Sequence, residues 1–359
     1  MKTRTTTSTQ PQKTTKETLM TKIHSTKEHA LVGRRRALRR MATGVAGGAA
    51  ALLGLPTYAQ AYPARPLRVV VPWPAGGLVD VAARQLGTRL QAALGQSVVI
   101  ENRVGAGGSI GADLVAKAAA DGHTLLFSTS ALTINVAMGT KLPFDLRRDF
   151  EPVCLLARAT SVLVVGPSFN PASVQELVQQ ARARPGGLSY GSAGVGSPAH
   201  LTGELLKSLL QLQVVHIPYT GAPAAMNDQL AGRLDFQFAN AAVALPQVRA
   251  GKVRALAVTG TQRFAALPQV PTMIEAGVAD FEADQWLGLL GPAGMPGEVR
   301  ARLAMECQQA LAQEDLRASL LRAGMTAAPA GTPAGFAATI EAEVARWTAV
   351  VKAANIKPE

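Results

Sequence analysis

Serine, histidine and glycine occur in this chain at spacings that chemistry uses, and each spacing makes a different demand. Gly187-Leu188-Ser189-Tyr190-Gly191 spells G-x-S-x-G, the pattern that sets a nucleophilic serine on a strained turn in α/β-hydrolases. A triad then needs an acid and a histidine further on, and only Glu204 and His216 follow in that order, crowded into 28 positions. Ser189 also falls inside a strand-like run instead of on the turn after it. The match is one of chance; no catalytic residue is assigned, and the chain reads as a non-enzyme. Gly194-Val195-Gly196-Ser197-Pro198-Ala199 fits the dinucleotide pattern G-x-G-x-x-A. The acid expected about twenty residues later is replaced by Val215-His216-Ile217, so no nucleotide or other cofactor is expected. The stretch Ser189–Ser197 reads better as an anion cradle, with hydroxyls and N–H groups facing a helix that begins at Pro198. His123, His200 and His216 stand singly, without metal-ligand spacing, and no metal site is expected.

The elements that must position such a cradle appear most clearly in Val69–Leu94. Val69-Val70-Val71 is an unbroken β-branched run, the mark of a strand buried on both faces. Trp73, Pro74, Ala75, Gly76 and Gly77 follow as a turn whose glycines admit close approach of a guest. From Val79 the spacing becomes helical, with Val79, Ala82, Ala83, Leu86, Leu90 and Ala93 on one face and Asp80 in the first turn. Strand, glycine loop and helix N-terminus together form a socket for an anion. An ordinary tight strand-to-helix connection has the same appearance, and this stretch alone leaves both readings open.

The formal charge of +12 over 359 residues suggests a nucleic-acid or membrane-surface partner until its distribution is seen. Residues 1–61 hold eleven Lys and Arg against Glu17 and Glu28, which leaves only +3 for Tyr62 onward. No nucleic-acid partner is expected. The leader opens with a polar Thr, Lys and Gln tract, read as disordered. It continues with Gly33-Arg34-Arg35-Arg36-Ala37-Leu38-Arg39-Arg40 and a weakly apolar run, and closes on Ala59-Gln60-Ala61, an A-x-A cleavage pattern. The paired arginines resemble a twin-arginine export signal, although Ala37 and Gly33 depart from it, and the general secretory route stays open. Export to the periplasm is expected, with a water-soluble mature chain starting near Tyr62. Met20 offers another possible start. Cys154 and Cys307 fit either one disulfide or two buried thiols, the latter preferred because each lies in an apolar pattern.

From Tyr62 strands and helices alternate across short glycine connections, the pattern of a largely parallel sheet in an α/β fold. A second glycine loop, Glu101–Gly111, precedes a helix. The strand Thr124–Phe127 ends in the hydroxyl cluster Ser128-Thr129-Ser130. Val153–Val165 reads as one long extended run interrupted at Arg158–Ser161. Helices are expected at Ser173–Ala183, Ala199–Leu210, Pro223–Leu230 and near Pro246–Ala250, with a largely helical pattern after Thr259. No internal repeat is evident beyond the shared glycine-loop design.

These pieces carry a family resemblance. YPARPLRVVVPWPAGGLVDVAAR, ENRVGAGGSIGA, DGHTLLFSTS, LSYGSAGVGSPAHLTGELL, HIPYTGAPAAMNDQLAGRLDFQF, KVRALAVTGTQRFAALPQVPTMIEAG and QWLGLLGPAGMPGEVRARL stand in order along the mature chain. Together they resemble the substrate-binding proteins of tripartite tricarboxylate transporters, the Bordetella uptake gene (Bug) family. The resemblance implies a type II periplasmic-binding fold: two α/β lobes joined by two crossing segments around a ligand cleft. Lobe 1 would comprise 62–163 and 258–359 and lobe 2 would comprise 164–257, with crossings near Ala159–Val164 and Leu256–Thr259. It further implies capture of a small carboxylate, a di- or tricarboxylate or an aromatic acid, by lobe closure. The partners would be the permease subunits of the transporter. A sensory role, presenting ligand to a membrane kinase, would use the same pocket, and a monomer is expected. Carried over by position, the first lobe would grip through Pro74–Gly77, walled by Trp73, with Asp80, Ser128, Thr129 and Ser130. The second would use Ser192, Ala193, Gly194, Ser197, His200, Tyr219, Thr220, Gly221, Ala222 and Ala239. Leu78 and Thr220 depart from the family pattern. So does Ala239, which stands where many relatives carry an Asp able to pair with a ligand amine, so a ligand without an amino group is expected.

Overall fold

The computed structural model describes residues 62–357. The expected export leader, its expected cleavage site and the alternative start at Met20 lie outside the described residues. None of the described helices is long and apolar enough to cross a membrane.

The apolar run after Tyr62 forms β1 (Leu67–Val71), and the Gly77 turn opens α1 (Leu78–Leu94). Val79, Ala82, Ala83, Leu86 and Leu90 are buried as the spacing demands, whereas Ala93 at the end of the stripe is exposed. Each such Leu or Val contributes about 1.5–3 kcal/mol by leaving water, which holds the helix down and its N-terminus at the sheet edge. β2 (Val98–Asn102), α2 (Ser109–Ala116), β3 (Thr124–Thr129), α3 (Ala131–Ala137) and β4 (Phe150–Ala159) complete the opening half.

The extended run 153–165 divides at Thr160, because its two parts enter different sheets: β4 in the first and β5 (Ser161–Val165) in the second. The second sheet is built by α4 (Val174–Ala183), β6 (Ser189–Ser192), α5 (Pro198–Leu210), β7 (Val215–Pro218), α6 (Ala222–Leu230), β8 (Phe236–Asn240), α7 (Ala241–Arg249) and β9 (Arg254–Val258). The chain then forms β10 (Gln285–Pro292), α8 (Gly297–Ala312), α9 (Glu314–Arg322), β11 (Met325–Ala327) and α10 (Pro333–Ala353).

The first sheet has the order β11-β4-β10-β3-β1-β2 and the second β7-β6-β8-β5-β9. Leaving aside the edge strand β11, the two orders are the same. In each sheet three parallel strands are followed by one strand running antiparallel to both neighbours, β10 or β5, and then by the last strand. The odd strand in each case arrives from the other sheet. This is the duplicated α/β architecture implied by the sequence, with a structural repeat that the residues themselves did not reveal.

Two expectations are corrected. β10 was read as part of a helical region, but QWLGLLGP lies at the centre of the first sheet, buried from Trp286 to Pro292. Eight apolar-rich residues without alternation suit a fully buried strand and a helix equally. The return crossing is also later than Leu256–Thr259. Phe264, Leu267 and Val270 pack with Val162 and Val258, and Met273, Val278 and Phe281 pack with Leu163 and Phe238, all on the second sheet. The chain re-enters the first sheet only at Gln285. Apolar burial keeps 260–283 with the second lobe.

Asp284 ties the two crossings. Its carboxylate accepts the Thr160 hydroxyl at 2.9 Å and the Thr259 hydroxyl at 2.7 Å. These threonines end β4 and β9, the corresponding last strands of the two sheets. Burial pushes the Asp284 carboxyl up to about 6, against the pull of both hydroxyls. Cys154 and Cys307 are both free and buried in the first-lobe core. Contact with the Cys154 thiol and then burial push the Cys307 thiol up.

Candidate ligand-binding site

On the first lobe, the Trp73–Gly77 loop is pinned by Asp80 from inside α1. One carboxylate oxygen accepts the Gly76 N–H and Arg84 Nε, each at 2.9 Å, and the other accepts Asn102 Nδ2 at 2.9 Å. Asn102 Nδ2 also donates to Trp73 O at 2.9 Å. Burial opposes the Asp80 charge, but the donors from Arg84, Gly76 and Asn102 outweigh it and hold the carboxyl below its usual value. Asp80 therefore positions the loop, since its oxygens already serve three donors. Gly76 sits at φ +77°, a left-handed conformation that strains any other residue.

The backbone donors of this loop are likewise spoken for. Gly76 N–H serves Asp80, and Gly77 N–H donates to Pro74 O at 3.2 Å. The donors left to a guest belong to the first turn of α1, where Gly77 at the N-cap provides no side chain to satisfy them. Pro74 and Ala75 are exposed beside them and Trp73 is half-buried.

Ser128, Thr129 and Ser130 do not act alike. Ser130 Oγ accepts the Trp286 N–H at 2.8 Å and lies 3.2 Å from Glu343 Oε1, while Thr133 Oγ1 lies 2.9 Å from Glu343 Oε2. Ser130 Oγ thus already has two internal partners. Burial pushes the Glu343 carboxyl up to about 7, with the Thr133 and Ser130 hydroxyls pulling against it. Among the described residues the buried Ser128 Oγ, Thr129 Oγ1 and Trp73 Nε1 have no hydrogen-bond partner. Buried polar atoms are rarely left so.

On the second lobe the loop after β6 satisfies itself through its side chains. Ser192 Oγ accepts Gly194 N–H at 3.1 Å, and His200 Nδ1 accepts Gly196 N–H at 3.1 Å. Ser197 caps α5 by accepting His200 N–H at 3.3 Å. His200 stacks on His216, with centroids 3.9 Å apart. Burial lowers both imidazoles, that of His216 to about 4. Tyr219 N–H donates to Ser192 O at 3.0 Å, and the Tyr219 hydroxyl donates to Asp228 at 2.8 Å. Burial and then Asp228 push that phenol up to about 12. Ala193 and Thr220 are exposed, with Gly221 and Ala222 half-buried beside them. Ala239 is 2% exposed and packs with Val162, Val258 and Phe264.

The helix α3 runs from the first-lobe hydroxyl cluster to the second-lobe loop. This helix starts at the Ser130 N-cap and ends at the Met138 C-cap. A Cβ on Gly196 would come within 2.8 Å of Met138 Sδ. Seven residues of helix span about 10 Å, so α3 links the Ser130 end of the hydroxyl cluster to the neighbourhood of Gly196 on the second lobe. Concavities of about 840 and 680 Å3 lie elsewhere, one within the second lobe around Gly166 and Arg254, the other beside Asp284. No group of metal-ligating side chains occurs among the described residues. Ser189, the serine of the hydrolase-like pattern, gives its N–H and hydroxyl to Asp235 at 2.6 and 3.0 Å. His216 and Glu343 were not anticipated. A lone histidine in a strand and an acid 213 positions from Ser130 give no local signal.

Two lobes of matching strand order joined by two crossings, each carrying a glycine-rich loop before a helix, define a solute-binding protein of the periplasmic type. The sequence pattern of the tripartite tricarboxylate transporter family receptor matches residues 82–356, and the chain belongs to that family. Its members are substrate-binding proteins and not enzymes. The chain is 36% identical to the protein BugT of Bordetella pertussis over 86% of this chain and 95% of that one. It is similar to a protein of R. palustris solved with adipate, at 35% identity and a TM-score of 0.70, covering 83% of this chain and 100% of the other. MatC of Rhodopseudomonas palustris, solved with bound malate, gives 33% identity and a TM-score of 0.67 over 81% of this chain and 100% of MatC.

Proposed function

We propose that this chain is exported to the periplasm and captures a small carboxylate, di- or tricarboxylate or aromatic acid, between its two lobes for a tripartite tricarboxylate-type permease. The observation that carries this reading is the set of donors left unpaired on the first lobe, namely the first turn of α1 and the buried hydroxyls of Ser128 and Thr129. A carboxylate accepts several such bonds at once, and the helix dipole favours its charge. The second-lobe loop Ser192–Ser197, with Tyr219–Ala222, closes from the other side. Closure excludes water, and in the lower local dielectric each neutral donor counts for more. No cation is then required.

Position 239 carries an alanine and therefore no acid for a ligand amine, and deaminated carboxylates are preferred over amino acids. Family members being periplasmic receptors, export through the leader and release as a soluble monomer complete the reading. The test is a thermal-shift screen of protein recovered from the periplasm against adipate, malate, citrate, benzoate, aspartate and glutamate. A binder present at about a hundredfold its Kd stabilises by about 2.7 kcal/mol. A clear shift with one of the first four is expected. A response confined to aspartate and glutamate would overturn the selectivity claimed, and a flat panel would count against the carboxylate.

A further inference from the structure

The second lobe contains a serine–histidine contact to which the carboxylate reading gives no role. Ser192 Oγ lies 2.7 Å from His216 Nε2. The same oxygen accepts the Gly194 N–H at 3.1 Å and donates to Gly194 O at 3.0 Å. A hydroxyl has one hydrogen and two lone pairs. The one hydroxyl hydrogen goes either to Gly194 O or to His216 Nε2; on Gly194 O, it leaves the oxygen to meet His216 as an acceptor, with the ring hydrogen on Nε2. The ring is held in place by stacking on His200, 3.9 Å between centroids, and by Tyr190 at 4.9 Å. Tyr190 rests in turn on Phe236 and donates to Glu204 at 2.7 Å, an oxygen that also takes Lys207 Nζ at 2.8 Å.

We infer that His216 is a positioning residue for the ligand: its Nε2–H occupies a lone pair of Ser192 Oγ, so that the serine hydrogen is left to swing from Gly194 O onto a bound carboxylate oxygen. The inference rests on the carboxylate reading and deepens it, because the hydrogen on one ring nitrogen then decides whether the second lobe meets an anion with a donor or with a lone pair. In the opposite tautomer His216 would take the serine hydrogen, and the same loop would repel the ligand.

The charged and titratable groups facing His216 are His200, Glu204 and Lys207 on α5 and Tyr190 on β6. Burial, then His200, lower the imidazole, Glu204 opposes them, and Lys207 adds to the lowering. The ring is therefore neutral near neutral pH. An anion at Ser192 favours the imidazolium, which keeps its Nε2–H.

Nitrogen-15 ring spectra of the ligand-free exported protein, with the His216 signals assigned by their loss in His216→Gln, test the tautomer directly. The expected result near neutral pH is a protonated Nε2 and a bare Nδ1. A bare Nε2 would overturn the inference whether or not a ligand is in hand. Adipate and malate are then titrated into wild type, His216→Phe, His216→Gln, Ser192→Ala and Ser192→Ala/His216→Phe. His216→Phe should weaken binding about tenfold, equivalent to about 1.4 kcal/mol. His216→Gln, whose amide N–H reaches the serine, should stay within about threefold of wild type. The double variant should bind no more weakly than Ser192→Ala, since the two groups act through one contact. Additive losses, or a loss in His216→Gln equal to that in His216→Phe, would overturn the positioning role. If wild type binds neither acid, the carboxylate reading is what fails, and the ring spectra alone decide the tautomer. Should His216→Phe not fold, the Gln variant and the spectra carry the test.

Discussion

The two glycine-rich loops, one on each lobe, share a design of glycine-rich backbone before a helix, yet they keep their donors differently. The first-lobe loop is clamped from within by an ionised residue, Asp80, and leaves its helix first turn and two buried hydroxyls without partners. The second-lobe loop spends its N–H groups on its own Ser192 and His200, and its neutral imidazoles are the titratable part. A clamped loop with unspent donors is ready for an anion before one arrives. A self-satisfied loop must exchange internal bonds for bonds to the guest. Under the function proposed above, first contact would fall to lobe 1 and the closing response to lobe 2.

The sharpest way to break this contrast is to remove the clamp. Asp80→Ala strands the Gly76 N–H and Asn102 and frees Arg84, and hydrogen bonds to a charged group are worth about 1.5–3 kcal/mol each before solvent screening. Arg84 is half-exposed, so a total loss of about 2–3 kcal/mol is expected. Urea denaturation should report this loss, and calorimetry a fall in carboxylate affinity of a hundredfold or so. If affinity survives while stability falls, Asp80 does not organise the site.

Ser128→Ala is expected to separate binding from folding. Its hydroxyl is buried and unpaired, so removal should leave stability unchanged or raise it by up to about 1 kcal/mol. Affinity should fall about tenfold. A variant that loses stability would mean the hydroxyl has a structural partner in solution.

A smaller effect concerns the buried acids behind the site. Glu343, with its folded pKa raised to about 7, sits above the ordinary carboxyl range of about 4.3. Between those values the unfolded chain has released the proton that the folded chain keeps, so stability falls as pH rises through that window. The slope from one group is at most about 1.4 kcal/mol per pH unit. Asp284, raised to about 6, adds a similar fall in the lower part of the window. Glu343→Gln should flatten the decline, and melting temperatures from pH 4.5 to 7.5 measure it. Because the lowered imidazoles of His200 and His216 add an opposite slope to both proteins, the comparison decides: a Glu343→Gln curve parallel to wild type would contradict the burial of Glu343.

The sequence showed best what periodicity controls. The stripes of α1 and α4 repeat at helical spacing, and the end of α4 matches the expected Ser173–Ala183 to within a residue. β10 was missed because a buried eight-residue run has no alternation to read. The late return at Gln285 was missed because 260–283 has little regular structure and is held to lobe 2 by burial alone. Within the site, the glycine loops and hydroxyl cluster were legible as residue types, but the destination of each hydrogen bond was not. Asp80 looked like a ligand contact until its three donors were placed. Ser130 looked like Ser128 until Glu343 arrived from 213 positions away. Long-range partners of short polar side chains leave no trace in local spacing, which is why His216 was not anticipated.

The most direct test of carboxylate capture by the first-lobe donors is a crystal structure of the exported protein grown with the acid giving the largest thermal shift. The expected result is a carboxylate held by N–H groups in the first turn of α1 and by the Ser128 hydroxyl, with the Ser192 loop closed over it. An acid bound instead in the concavity around Gly166 and Arg254, or held chiefly by an arginine or lysine side chain, would contradict it.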